Sequence, residues 1–295
     1  EQTRRHATYL RTVGLDQLIV VVNKMDIVGF RVAEFQRLVA SLTSLLQQVG
    51  LAPLHFIPAS TLGGQNVVHP ATVISWYDGP TVLQALEASR RRAPSSQPLR
   101  LPVQDIFQID GEEMVVGRVG AGTVQVGDEV ILLPGGRRSV ICSLHRFEHT
   151  MDSACAGESI GIRLEHAGCC FRGTVLCASN DPPVVAERLQ AQLLWTSEQP
   201  LDVGEVLTLR CTTQQVDCSV DSIESIGDTD LLGTVDRQNG TLREHEIGTA
   251  RIRCQHPLAI EPYQPSRVLG RFVLERLGRV VAGGLVLHAT NGETP

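Results

Sequence analysis

Lysine is almost missing from this chain: of 26 basic residues among 295, Lys24 is the only lysine and every other cation is an arginine. Aromatic residues are scarce at 4%, so the cores have to be built from valine, leucine and isoleucine. No apolar run approaches the ~20 residues that a membrane-crossing helix needs. The eight cysteines follow no metal-ligand spacing, and Cys169 and Cys170 are adjacent. They are expected as small buried hydrophobes in a reducing, cytoplasmic setting, not as a zinc site or a disulfide framework. Also absent is any glycine-rich phosphate-binding loop ending in Lys-Ser or Lys-Thr.

The lone lysine sits in Asn23-Lys24-Met25-Asp26, directly after the run Leu18-Ile19-Val20-Val21-Val22. By length and β-branching that run is a buried strand of the parallel type. Ligands of open α/β sheets bind beyond the carboxyl ends of strands, which is where these four residues fall. Their chemistry suits guanine, whose N1–H and N2–H2 donors lie beside the O6 acceptor. A carboxylate at Asp26 can accept both donors at once, a contact adenine cannot supply. Asn23 can bond N7 while tying the loop to its neighbours, and Lys24 can lay its aliphatic stem along the base. The bland alternative is a polar turn with Asp26 as a helix cap.

Helical spacing of Val32, Phe35, Leu38, Val39, Leu42, Leu45 and Leu46 predicts a helix over about 31–49, ended by Gly50. A short strand at 54–57 precedes Pro58-Ala59-Ser60-Thr61-Leu62-Gly63-Gly64. Ser60, Thr61 and Leu62 read as a second guanine loop, in which a backbone N–H reaches O6. The turn's shape then matters more than the Thr61 side chain, and the two glycines give it latitude. Trp76 and Tyr77 are expected to pack against the α/β core. Pro80 is expected in the first turn of a helix carrying Val82, Leu83 and Leu86. That helix ends in Arg90-Arg91-Arg92, read as a solvated end that complements the macrodipole.

Residues 93–98, Ala-Pro-Ser-Ser-Gln-Pro, form a linker by composition. Beyond it the hydrophobic period changes to two, with turn signals every eight to twelve residues, which predicts two antiparallel β-barrels. The expected organisation is 1–92 α/β, 93–98 linker, 99–179 and 180–288 barrels, and 289–295 tail, with Asn180-Asp181-Pro182-Pro183 as the break between barrels. His145 and His149 are expected on one strand, pointing the same way but too far apart to hold a metal. Glu244-His245-Glu246 is expected to be solvated beside a turn.

These motifs, in this order, resemble those of the translation-factor GTPases, the class that contains elongation factor Tu. The resemblance runs from Gln2 to about Val286. Gln2-Thr3-Arg4-Arg5-His6 is similar to the stretch that follows the second switch in that family. Asn66-Val67 with Trp76-Tyr77-Asp78-Gly79-Pro80-Thr81 resembles its Asn-Val and Trp-Tyr-x-Gly-Pro-Thr. Gly127-Asp128-Glu129 through Leu133-Pro134-Gly135-Gly136 resembles its Gly-Asp-Glu and Leu-Pro-Ser-Gly, with Gly136 in place of Ser. Ser197-Glu198-Gln199-Pro200-Leu201, Pro257-Leu258-Ala259 and Tyr263 resemble its third domain. The family's Asp-Arg-Leu-Thr-Asn-like stretch is represented only by Leu274-Glu275-Arg276-Leu277-Gly278-Arg279, and Val115-Val116-Gly117-Arg118-Val119 looks as much like elongation factor one alpha.

Within the class the chain looks most like the GTPase (large) subunit of sulfate adenylyltransferase. That resemblance implies the C-terminal part of a P-loop GTPase domain followed by two barrels. It implies GTP and Mg2+ as cofactors, with the P-loop, the magnesium ligands and the switches expected in a segment upstream of Glu1. It also implies a small catalytic subunit as partner, which joins ATP and sulfate into adenylyl sulfate and pyrophosphate while GTP hydrolysis drives the step. Here Asn23, Lys24, Asp26, Ser60, Thr61 and Leu62 are the expected base readers, with no catalytic and no metal-binding residue. Residues 1–92 are expected to be unstable in isolation, since half a parallel sheet leaves an unpaired edge. The alternative is an elongation factor delivering aminoacyl-tRNA. Charge weighs against nucleic acid: nine basic and six acidic residues precede position 98, against 17 basic and 26 acidic from there on.

Overall fold

The computed structural model describes residues 2–12, 15, 17–89, 97–109, 111–147, 149–168, 170–228, 234–235, 240–264 and 268–290. The Arg90-Arg91-Arg92 triplet, linker residues 93–96, Glu148, Cys169 and tail residues 291–295 lie outside them. The chain divides into two compact units, residues 1–92 and 93–295.

The first unit runs α1 (Gln2–Thr12), β1 (Leu18–Val22), α2 (Val32–Gln48), β2 (Pro53–Pro58), a short 3-10 turn (Thr72–Ile74) and α3 (Val82–Ala88). β1 and β2 pair in parallel, with Val22 opposite Pro58. Parallel neighbours need a crossover, and α2 supplies it. Its apolar stripe buries Phe35 and Leu46, whereas Val32 and Leu38, expected on that stripe, remain exposed. Gly50, at φ 73°, takes the left-handed turn after the helix. Pro80 lies outside α3, contrary to expectation, because Thr81 is the better cap. The Thr81 hydroxyl accepts from Gln84 N while the Gln84 side chain accepts from Thr81 N, a reciprocal capping box.

The second unit carries two barrels. The first uses β3 (Arg100–Ile109), β4 (Glu112–Arg118), β5 (Thr123–Gln125), β6 (Glu129–Leu133), β7 (Arg137–Arg146), β8 (His149–Met151), β9 (Ser153–Cys155), β10 (Ser159–Leu164) and β11 (Val175–Ala178). Its order β10-β4-β3-β11-β6-β7 closes through a β7–β10 pairing, giving a six-stranded ring. The second uses β12 (Val184–Trp195), β13 (Leu201–Asp202), β14 (Val206–Cys211), β15 (Gln214–Asp228), β16 (Thr234–Val235), β17 (Thr241–Leu242), β18 (Glu246–Ile260), β19 (Arg271–Arg276) and β20 (Arg279–Thr290). The order β14-β19-β20-β12-β18-β15 closes through β14–β15. Alternation is the cause: Leu207, Leu209 and Cys211 point inward from β14, and Ile160, Ile162 and Leu164 from β10. β20 reaches two residues into the predicted tail.

Leu133, Val175 and Cys177 of the first barrel share a buried cluster with Ala259 and Leu269 of the second. Beside it the buried Arg100 guanidinium pairs with Glu261 across the same junction.

Three further expectations fail. β7 and β8 form a hairpin that turns at Phe147, so His145 and His149 lie on different strands. His145 opposes Thr150 and Arg146 opposes His149, which sends the two imidazoles to opposite faces. Glu246 is buried, not solvated, because its carboxylate accepts from Arg243 N at 2.8 Å as β18 begins. Cys142 and Cys155 are exposed, while Cys177, Cys211, Cys218 and Cys254 are buried as expected.

Candidate functional site

The two sequence motifs meet because β1 and β2 end side by side. Ala59 N donates to Val22 O at 2.9 Å, and Met25 N donates to Ala59 O at 3.1 Å. The ladder therefore continues past both strands and joins the loop after β1 to the loop after β2. Met25 anchors the first loop, with its side chain fully buried beside Val22 and Phe35. Trp76 closes this cluster against Phe35, with ring centroids 5.3 Å apart, and its indole N–H donates to Phe30 O at 2.9 Å. The packing expected of Trp76 is thus the packing observed.

On that rigid base the polar residues are arranged unequally. Asn23 is the hub. Its Oδ1 accepts from Lys24 N at 2.8 Å and from Thr61 N at 3.1 Å, and its Nδ2 donates to the Thr61 hydroxyl at 3.1 Å. Lys24 adopts a left-handed φ of 61°, which the local Asn23 contact holds in place, and its side chain is exposed. Asp26 is exposed and its carboxylate has no partner among the described residues. Ser60 is buried to 1% exposure and its Oγ has no partner among the described residues, so it does not face outward. Leu62 stands at 91% exposure.

Two further residues fix the second loop, and neither was singled out from sequence for that role. Ser60 N donates to Gln65 O, closing a short bridge. Asn66, buried and at φ 57°, donates its side-chain N–H to Pro58 O at 2.8 Å while its own carbonyl accepts from Val82 N. The signal was present, since asparagine is among the few residues that tolerate a left-handed conformation.

This geometry fits a guanine base. Asp26 supplies free acceptors, Lys24 an apolar stem, and Asn23 one uncommitted N–H. No cluster of three or more His, Cys, Asp or Glu side chains able to hold a metal occurs among the described residues.

Comparison with known proteins places the chain in a family. Residues 1–100 match the model of the elongation factor Tu GTP binding domain, and residues 188–287 match the GTP-eEF1A C-terminal domain-like model. Elongation factor 1-alpha of Natronomonas pharaonis is 33% identical over 97% of this chain and 69% of its own length. The chain belongs to the translation-factor GTPases. Sulfate adenylyltransferase subunit 1 of Aeromonas hydrophila is 31% identical over 98% of this chain, and the chain spans 61% of that relative's length. The structure of Sup35 complexed with GMPPNP superposes with a TM-score of 0.63 at 23% identity, over 98% of this chain and 73% of that one. That likeness shows a shared fold. No described helix is long and apolar enough to cross a membrane.

Proposed function

We propose that this chain supplies the base-reading part of a GTP-hydrolysing subunit of sulfate adenylyltransferase. The observation that carries the nucleotide reading is the joint made by Asn23 and Thr61 beside the open Asp26 carboxylate, at the carboxyl ends of two parallel strands. Asp26 accepts N1–H and N2–H of guanine, a charge-assisted pair that adenine cannot offer. Asn23 donates to N7, Lys24 covers one face of the base, and the Leu62 backbone N–H lies in the loop that meets O6. Bound GTP with Mg2+ supplies the free energy of hydrolysis, and the groups that act on its phosphates are not among the residues named here.

Two facts support sulfate activation. Sulfate adenylyltransferase subunit 1 aligns with 98% of the chain, and the region from residue 98 onward is acidic, with 26 acidic against 17 basic residues. An acidic pair of barrels is a poor track for a phosphate backbone. In this reading a small catalytic subunit forms the bond between a sulfate oxygen and the α-phosphorus of ATP, and pyrophosphate leaves. The second reading is aminoacyl-tRNA delivery, favoured by elongation factor 1-alpha relatives at the same level of identity.

The deciding experiment combines full-length protein with a sulfate adenylyltransferase small subunit and measures adenylyl sulfate formation with and without GTP. Acceleration by GTP is expected. A rate indifferent to GTP, with aminoacyl-tRNA retained on the GTP-loaded protein, replaces this assignment with the second reading. Equal affinity for GDP and ADP removes both.

A further inference from the structure

The amide of Asn23 is held at both ends. An asparagine side chain turns easily about its last torsion, because that rotation is broad and roughly two-fold. Here two backbone N–H groups, from Lys24 and Thr61, converge on one terminal atom, which must therefore be the oxygen. That assignment saturates Oδ1 and places Nδ2 at the other end. One Nδ2–H is taken by the Thr61 hydroxyl, so a single N–H is left over. The only uncommitted polar group of Asn23 is then a donor, and the atom it meets on a ligand must be an acceptor.

We propose that the Thr61 hydroxyl is a positioning residue for purine recognition: by accepting one Asn23 N–H it fixes the amide plane so that the other meets N7 of the bound base. This rests on the base-reading role assigned above and adds to it a side chain, where loop shape alone had been expected to suffice. The backbone around the pair cannot substitute for the hydroxyl. Met25 and Ala59 lock both main chains, but those bonds leave the Nδ2 end of the amide untouched. Thr61 is exposed, so its hydroxyl is not needed to fill a core. N7 is common to guanine and adenine, so the contribution is to affinity for a purine, separate from the guanine choice made by Asp26.

The test uses full-length protein and three nucleotides: GDP, 7-deaza-GDP, in which N7 is replaced by C–H, and IDP, which lacks the N2 amino group read by Asp26. Wild type is expected to prefer GDP over both analogues. Thr61→Val, which keeps the branched shape and deletes the hydroxyl, should shrink the GDP to 7-deaza-GDP ratio by about threefold to tenfold, the worth of one neutral hydrogen bond. It should leave the GDP to IDP ratio unchanged, and Thr61→Ser should restore the wild-type N7 ratio. Thr61→Ala serves as a second deletion should the valine variant fold poorly. The inference is overturned if Thr61→Val and Thr61→Ala keep the wild-type N7 ratio, if Thr61→Ser loses it as they do, or if wild type binds 7-deaza-GDP as well as GDP. Those outcomes are distinct from failure of the base-reading role itself, which shows as no preference for GDP over ADP in wild type.

Discussion

Residues 1–92 and the barrel unit hold themselves together in different ways. In the first, buried apolar side chains form two small clusters, Ala7, Leu46, Val49 and Leu51 in one and Val22, Met25 and Phe35 in the other, with Ile57, Ala59, Ile74 and Ala85 buried outside them. Val21 and Leu54, on its two strands, stay exposed. Each barrel instead closes a continuous core, with Leu101, Val115, Leu144 and Ile162 in the first and Trp195, Leu193, Leu209 and Ile252 in the second. A closed ring also removes the free edges of its strands. The difference separates two jobs. Barrel residues act through burial, whereas Asn23, Lys24, Asp26 and Thr61, the residues proposed to read the base, are exposed.

That separation can be broken in order of expected size. Trp195→Ala removes a fully buried side chain from the core of the second barrel and deletes the indole N–H donated to Gln199 O at 2.8 Å. It is expected to cost about 3–5 kcal/mol, read as a lowered urea midpoint of the barrel unit. Asp26→Ala should do the reverse: guanine preference over adenine falls roughly tenfold to a hundredfold in a nucleotide competition assay, with the urea midpoint unmoved. A matching loss of stability would mean that Asp26 is structural after all.

Alkali sharpens the comparison next. Burial pushes the thiols of Cys177, Cys211, Cys218 and Cys254 up to about 12 from an ordinary 9.0. The folded barrels keep protons that the unfolded chain has released, so their stability contribution is complete below pH 9 and is lost as pH rises toward 12. Urea midpoints taken across that window should fall, and Cys254→Ala should flatten the decline. The smallest effect is expected on the surface of α2, where Arg37 pairs with Glu34 at 3.0 Å. Arg37→Ala should change thermal stability by only ~0.3–0.5 kcal/mol.

Much of the architecture was legible from the one-dimensional pattern. Period-two alternation announced the barrels, and helical spacing placed α2 within a residue of its observed start. The proposed base-reading residues were picked out by chemistry, since a carboxylate, an amide and a long aliphatic cation after a β-branched strand suit guanine. Less legible was anything that depends on a neighbour distant in sequence. The reversal at Phe147 lay hidden inside one alternating stretch, because a tight hairpin and a continuous strand share the same local pattern. Glu246 looks like a solvated acid until the Arg243 backbone N–H is seen beside it.

The amino-acid order by itself determined which faces are apolar and which residue types sit after β1 and β2, because periodicity and side-chain chemistry are local properties. Tertiary structure alone decided that Asn23 and Thr61, 38 positions apart, share hydrogen bonds, that Ser60 turns inward and that four thiols are sealed in or beside the barrels. Those outcomes follow from the register of parallel strands and the closure of the rings, which bring distant groups within bonding distance in a way no local pattern records.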